Sequence, residues 1–182
     1  VSVTATDPAG NISLPTLVPV TIDTTAPAAP PADVAASSDS GSSNTDNVTS
    51  DTTPTIAGTG VAGDTITVKD ANGNVIATAL VDSNGNWSAT PVNPLPNGLN
   101  NLQVTATDPA GNTSAPAALP ITIDTTASAA PVAALAAASD SGIVGDSITR
   151  DNTPDMGGRG SARETSRLDG HEGTTWRGSA VG

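Results

Sequence analysis

The chain has no cysteine, phenylalanine or tyrosine, and Trp87 and Trp176 are its only large aromatic residues among 182. Without cysteine it can form neither a disulfide nor a thiolate metal site. Any core must therefore be built from Val, Ile, Leu and Ala. No apolar run is long enough for a membrane span, and no signal peptide is recognisable. If the protein is exported, we expect its export signal to lie outside this sequence.

Glutamate and basic residues are also scarce. Residues 1–155 contain fifteen aspartates and no glutamate, against only Lys69 and Arg150. Because binding to a phosphate backbone requires clustered Lys and Arg, we expect no nucleic-acid partner, and cations are better candidates. Aspartate favours turns and disfavours helix interiors. Together with abundant Thr, Ser, Asn, Gly and Pro, this usage predicts an all-β protein.

One block of sequence occurs twice, about 101 residues apart. Residues 3–30 read VTATDPAGNISLPTLVPVTIDTTAPAAP, and residues 104–131 read VTATDPAGNTSAPAALPITIDTTASAAP. Repeats of this length are typical of domain arrays. Division at the DTTA segments predicts the last strands of one module in 1–24, a complete module in 25–124 and the first part of a third in 125–155. We therefore expect a fragment of a tandem-repeat protein.

Alternation of apolar and polar residues predicts seven strands in the complete module. Turn residues separate the strands, and Asn72-Gly73 and Asn84-Gly85 are typical of tight hairpins with positive φ at both positions. Seven strands in about 100 residues favour a β-sandwich. The predicted strands are 32–36, 54–59, 64–69, 75–81, 86–90, 101–108 and 118–124.

Two single residues carry further predictions. Pro120 interrupts the last strand, so we expect it at a sheet edge, where a missing N–H donor does no harm. Trp87 is the one large apolar side chain of the complete module, and we expect it to fill the space between the sheets. The alternative is an exposed platform on which a sugar ring could stack.

Four blocks of the complete module, in this order, resemble a known family: DTTAP, TPTIAGTGVAGDTITV, DSNGNWSATP and VTATDPAGN. They are similar to the bacterial Ig-like repeats of very large adhesins and biofilm-associated proteins. The resemblance implies a seven-stranded Ig-like β-sandwich, type I secretion, display at the bacterial cell surface and many modules in tandem. For some members it also implies calcium at the junctions between modules, which stiffens them.

The predicted topology gathers aspartates at the two ends of the module. If the seven strands run alternately, Asp64 and Asp108 lie at the end where the chain enters, and Asp23 reaches that end from the preceding module. Calcium prefers several oxygen ligands, and three carboxylates that meet there would repel one another without it. We call the end of the module with Asp64, Asp108 and Asp23 the entry end.

At the opposite, exit end the same topology predicts a second group of candidate metal ligands near the start of the next module. The alternative for both groups is that Asp serves turns and keeps the surface soluble. The exit-end candidates are Asp46, Asp51, Asp70 and Asp124, with Asp39 in the same first loop as Asp46 and Asp51.

The repeat pattern stops after Pro154. Residues 156–182 contain four of the six basic residues, both glutamates, the only methionine and the only histidine, and their alternation is lost. We expect an irregular, disordered tail. It is either a genuine tail or the product of out-of-frame translation of repeat DNA.

No enzyme is predicted, because the repeated region lacks His, Cys and Glu and offers no pair of nucleophile and base. The leading hypothesis is a structural spacer of a secreted, cell-surface adhesin or biofilm-associated protein. Its partners would be the neighbouring modules and, through domains outside this sequence, a host or biofilm surface. The alternatives are a glycan-binding module and a spacer within a secreted multidomain enzyme.

Overall fold

The computed structural model describes residues 1–159 and 177–178, and all regular structure within them is β-strand. The predicted all-β class is therefore confirmed. None of these residues forms a helix that is long and apolar enough to cross a membrane. The chain divides into two units, Val1–Thr125 and Thr126–Gly182.

The complete module is a sandwich of two sheets. The larger sheet has the order β4-β10-β9-β6-β7, and the smaller has the order β3-β5-β8. The strands are β3 Ala32–Val34, β4 Val48–Thr49, β5 Ile56–Thr59, β6 Thr65–Lys69, β7 Val75–Leu80, β8 Asn86–Ala89, β9 Gly98–Thr107 and β10 Ala117–Ile123.

The module has eight strands instead of the predicted seven. All seven predicted segments form strands, and the additional strand is β4, whose Val48 and Thr49 pair with the end of β10. This pairing is parallel, whereas the prediction assumed antiparallel strands throughout. Two residues inside a polar loop carry too little alternation to be recognised as a strand.

The core lies between the two sheets and consists of the alternating residues that the sequence marks. The facing residues of β6, β9 and β10 are almost fully buried, since side chains two positions apart share one face of a strand. They pack with Val34, Ile56 and Trp87 of the smaller sheet. The buried residues of the larger sheet include Ile66, Val68, Leu102, Val104, Ala106, Leu119, Ile121 and Ile123.

The first 24 residues form a short hairpin of β1 (Ser2–Val3) and β2 (Thr16–Leu17). Their apolar side chains are exposed, with Val3 at 54% and Ile22 at 82%. The equivalent residues of the complete module, Val104 and Ile123, are buried at 0% and 1%. The same sequence pattern thus buries its apolar face only where a second sheet packs against it.

The structure corrects the predicted turn type at Asn72-Gly73. Only Gly73 has a positive φ, of 85°. The turn spans five residues, in which the N–H of Asp70 donates to the carbonyl of Asn74 at 3.0 Å, and the carboxylate of Asp70 accepts the N–H groups of Asn72 and Asn74 at 2.9 and 2.8 Å. The Asn84-Gly85 turn is built in the same way. The aspartate before the Asn-Gly pair therefore sets the turn, through hydrogen bonds to its own loop.

Pro120 occupies a free edge position, as predicted. The N–H groups of Thr122 and Asp124 point away from β9 and donate to the carbonyls of Asn47 and Thr49, both at 2.9 Å. Alternate residues of a strand direct their N–H groups to the same side, so the nitrogen of Pro120 faces that side too. β4 begins only at Val48, so the missing donor of Pro120 leaves no ladder bond unmade.

The second unit repeats the opening of the module. β11 (Val132–Leu135) pairs antiparallel with β12 (Asp155–Arg159), and β12 pairs parallel with β13 (Arg177–Gly178). The strand β12 comprises the five residues that follow Pro154, where the repeat pattern stops, so the loss of the pattern does not end the strand. Residues 160–176 and 179–182 of the predicted tail lie outside the described residues.

Candidate functional site

Asp64 and Asp108 lie next to each other at the entry end of the module. Thr65 of β6 pairs with Thr107 of β9, which brings the two flanking aspartates together. Asp64 is 2% exposed, and its Oδ2 atom has no hydrogen-bond partner among the described residues. Burial raises the pKa of Asp64, and the charge of Asp108 raises it further. The entry end thus contains a buried carboxylate oxygen that no described residue satisfies.

Asp108 belongs to a turn of the same type as Asp70. Its carboxylate accepts the backbone N–H and the side-chain amide of Asn112, both at 2.9 Å. These bonds, led by the side-chain amide, lower the pKa of Asp108. The ionised form of Asp108 is therefore favoured beside the buried Asp64, and the two carboxyl groups lie together at the entry end.

Asp23 reaches the same end through its backbone. The side-chain amide of Asn112 donates to the carbonyl oxygen of Asp23 at 3.1 Å. The carboxylate of Asp23 accepts the N–H of Thr25 at 3.0 Å. The three predicted entry-end residues are thus brought to one end, with two side chains adjacent and the third residue attached by its main chain.

At the exit end, Asp51 and Asp124 are both hydrogen-bonded to Thr49. The N–H of Asp124 donates to the carbonyl oxygen of Thr49 at 2.9 Å, and the N–H of Asp51 donates to the Oγ1 atom of Thr49 at 3.0 Å. The carboxylate of Asp46 accepts the N–H of Val48 at 3.2 Å. The structure places these three predicted residues around β4, the strand that the sequence did not predict.

Asp70 lies away from that group. β6 ends where Lys69 pairs with Gln103, whereas β10 ends where Ile123 pairs with Gly98. The five residues between these two positions on β9 correspond to about 17 Å along the strand. The predicted proximity of Asp70 and Asp124 is therefore wrong, because β6 is half as long as β9.

A buried aspartate occurs in the first loop of both repeat copies. Asp39 is 4% exposed and Asp140 is 8% exposed, and the Oδ1 atom of each has no partner among the described residues. Their Oδ2 atoms accept backbone N–H groups, from Asn47 at 3.2 Å and from Gly145 at 2.6 Å. The repeated SDSG sequence was the available signal for this feature, and burial is what distinguishes it from an ordinary turn.

The described part of the chain holds no group of three or more acidic or histidine side chains arranged around a metal position. A cation at either end would therefore need backbone carbonyls or water beside one or two carboxylates, as calcium accepts. The unsatisfied oxygens of Asp64 and Asp39 are the observations that fit such a ligand.

Trp87 fills the core, as predicted, and is 4% exposed. Its indole N–H donates to the carbonyl of Thr59 at 3.2 Å. The alternative of an exposed sugar-stacking platform is wrong, because neither face of the ring is open to a ligand.

Comparison with known proteins agrees with this architecture. Residues 25–125 match the family profile described as a bacterial Ig-like domain. No curated protein matches the chain.

Two of the solved structures that match this chain are as follows. One, described as the BSP domain of a biofilm-associated protein, is 32% identical over 40% of this chain and 12% of its own, with a TM-score of 0.34. The other comes from a study of the host cell surface retention of a 1.5-MDa bacterial ice-binding adhesin. It is 28% identical over 67% of this chain and 40% of its own, with a TM-score of 0.29. The matches cover less than half the length of either structure.

Proposed function

Since the chain belongs to the bacterial Ig-like domain family, whose profile covers residues 25–125, we propose that it is a structural spacer of a secreted, cell-surface adhesin or biofilm-associated protein. Its modules would follow one another in tandem and hold an adhesive or anchoring region away from the cell. Two of the matching solved structures, at 32% and 28% identity, are described as parts of a biofilm-associated protein and of a bacterial adhesin.

The observation that carries the proposal is the position of the two chain connections of the module. Asp23 is bonded to Asn112 at the Thr107 end of β9, and Ile123 pairs with Gly98 at the other end. The ten residues of β9 separate these ends by about 30 Å. A module that the chain enters at one end and leaves at the other adds its full length to an array.

This spacer role requires no catalytic group. The described residues of the module contain no histidine, cysteine or glutamate, and their aspartates are engaged in turns and at the module ends. We accordingly propose a non-enzymatic protein, whose direct partners are the neighbouring modules of the same chain.

Two concatenated copies of residues 24–124, whose junction Asp124-Thr24-Thr25-Ala26 restores the native DTTA segment, provide the test. We expect small-angle X-ray scattering to give a maximum dimension at least about 30 Å greater than that of one module, because β9 alone spans that length. The single module measured under the same conditions is the control. A pair no longer than one module would mean that the modules fold back on each other, and a spacer role would be excluded.

We further propose that calcium stiffens the module ends. At the entry end the cation would be held by the carboxylates of Asp64 and Asp108, and it would stabilise a buried oxygen that is otherwise unsatisfied. At the exit end Asp39 offers a second such oxygen, close to the loop that carries Asp46 and Asp51. Calcium at these positions would remove the repulsion between carboxylates and restrict bending between modules.

Calcium is expected to raise the free energy of unfolding of the 182-residue chain by about 3 kcal/mol when present at roughly 100 times its Kd. Thermal melting in calcium and in chelator measures this increment. Asp64→Asn should reduce it. The same variant should stabilise the calcium-free module at neutral pH by roughly 1 kcal/mol, since it removes a buried carboxylate whose Oδ2 atom has no partner among the described residues.

The pH dependence has a defined sign. Because the folded-state pKa of Asp64 is raised, the contribution of this group to the stability of the calcium-free module should be lost as the pH rises through that pKa, whereas Asp70 and Asp108, whose pKa values are lowered, contribute with the opposite sign. The difference in stability between the wild type and Asp64→Asn as a function of pH isolates the Asp64 contribution. Asp70→Asn, in a turn of the same type as that of Asp108 but at the other end of β6, is the matched control and should retain the calcium increment. An unchanged melting midpoint and hydrodynamic size in calcium would refute the calcium proposal but leave the spacer proposal standing.

A further inference from the structure

A groove of about 520 Å³ lies beside β9, between the turn after β6 and the loop that follows β8. Its floor is the first half of β9, and its walls carry exposed apolar side chains. Val92 is 83% exposed, Leu99 is 64% exposed and Val75 is 57% exposed. Asp70 is the one charged residue among those that line it.

The floor of the groove is an unpaired strand edge. Lys69 pairs with Gln103, and β6 stops there, while β9 continues back to Gly98. On its other side β9 remains paired with β10 over this whole stretch. β9 therefore extends five residues beyond the neighbour that should cover it.

The hydrogen-bonding direction of these residues follows from the ladder. The N–H of Thr122 in β10 points away from β9 and donates to the carbonyl of Asn47. Leu99 lies directly opposite Thr122. In an antiparallel pair, if one of two opposite residues directs its main-chain groups away from the partner strand, so does the other, and the N–H and C=O groups of Leu99 therefore point away from β10. The same alternation applies to Asn101, which lies opposite Pro120. The N–H and C=O groups of Leu99 and Asn101 thus face the groove, and no strand of the described chain pairs with them there.

The turn after β6 holds this edge open. The carboxylate of Asp70 accepts the N–H groups of Asn72 and Asn74, and the N–H of Asp70 donates to the carbonyl of Asn74. These hydrogen bonds close the loop onto β7. The loop therefore cannot continue along β9. On the opposite wall, Val92 is fixed to β7 by donating its N–H to Ile76 at 3.0 Å.

We propose that this groove binds an extended peptide segment of another protein, which adds a strand beside β9 in line with β6. The N–H and C=O groups of Leu99 and Asn101 would supply the main-chain bonds, and Val75, Val92 and Leu99 would contact its apolar side chains. Such strand addition takes affinity from the backbone and selectivity from alternate side chains.

The charge of the groove selects the peptide. Asp70 lies in its wall, and although Lys69 ends β6 beside it, residues 25–124 carry nine aspartates against that one basic residue. A peptide with lysine or arginine is therefore favoured over an acidic one. A sugar ligand fits less well, because the lining contains no aromatic ring on which it could stack. This function would make the module a docking site in addition to a spacer.

The test uses the 182-residue chain and a ten-residue synthetic peptide of alternating valine and threonine with lysine at both ends. We expect the peptide to shift the backbone amide signals of Leu99 and Asn101 in NMR titration and to slow their hydrogen exchange. A peptide N-methylated at alternate residues should bind at least about tenfold more weakly, since it cannot form the ladder bonds. Replacement of lysine by glutamate should weaken binding about fivefold.

Val92→Asp should weaken binding about tenfold without changing the melting midpoint, because Val92 is 83% exposed. Val61→Asp is the matched control, since Val61 is 64% exposed at the entry end, and it should bind as the wild type does. Equal binding of the N-methylated peptide, or equal losses in the two variants, would overturn the proposal. So would amide shifts at Leu99 and Asn101 with chito-oligosaccharide but not with peptide.

Discussion

Trp87→Ala is expected to lower the free energy of unfolding of the module by about 3–5 kcal/mol, the range for removal of a buried large aromatic side chain. The ring is 4% exposed and packs among side chains no larger than leucine or isoleucine. No other aromatic side chain of the described residues can fill the space. Urea denaturation followed by far-UV circular dichroism measures the loss.

Trp87→Phe is the control for this substitution. It retains much of the apolar volume but loses the hydrogen bond from the indole N–H to the Thr59 carbonyl, so a loss of about 1–2 kcal/mol is expected. A Trp87→Ala variant as stable as the wild type would show that the ring does not fill the core, and would reopen the possibility of an exposed platform.

Gly58→Ala is expected to destabilise the module by about 3 kcal/mol, at the upper end for overpacking a core. A Cβ atom at this position would overlap the backbone carbonyl oxygen of Pro31 and would come within 2.8 Å of the Trp87 ring. The strand cannot shift away, because Gly58 is paired with Ala32 on one side and with Trp87 on the other. Thermal melting of the variant tests this directly.

Gly60→Ala is the matched control. Its Cβ would meet no backbone atom, and its tightest contact would be a methyl group of Val81 at 3.0 Å, so a smaller loss than for Gly58→Ala, of about 1 kcal/mol, is expected. The double variant Gly58→Ala/Trp87→Ala should lose less than the sum of the single variants, because removal of the ring relieves one of the two contacts. Strict additivity would mean that the ring does not lie over Gly58.

The repeat and the alternation in the sequence were sufficient to predict the buried faces of β6, β9 and β10. Ile66 and Val68, or Ile121 and Ile123, share a face because the side chains of a strand alternate with a period of two. The same reasoning could not find β4, since a two-residue strand has no period to detect. It also misjudged the Asn-Gly turns, because the deciding group is the aspartate two residues before each pair.

The candidate site was predicted only in part. Alternating strand direction correctly placed Asp64 and Asp108 at one end, but it could not show that Asp64 is buried with an unsatisfied oxygen. It brought Asp70 too close to Asp124 because strand lengths, and hence the stagger between β6 and β10, depend on where each turn closes. The groove beside β9 escaped prediction for the same reason. A strand edge is unpaired only where the neighbouring strand is shorter, and the sequence does not give the relative lengths of β6 and β9.

The sequence by itself determined the all-β class, the repeat boundaries and the residues that face the core, because these depend on local pattern and on the absence of helix-forming and reactive residues. Only the tertiary structure decided which carboxylates meet, which aspartates serve their own turns, and where β9 lacks a neighbour. Those features arise from register and burial between segments up to about a hundred residues apart, which no local pattern specifies. The few aromatic residues illustrate both: sequence identified Trp87 as the one large core side chain, and packing against Gly58 fixed its place.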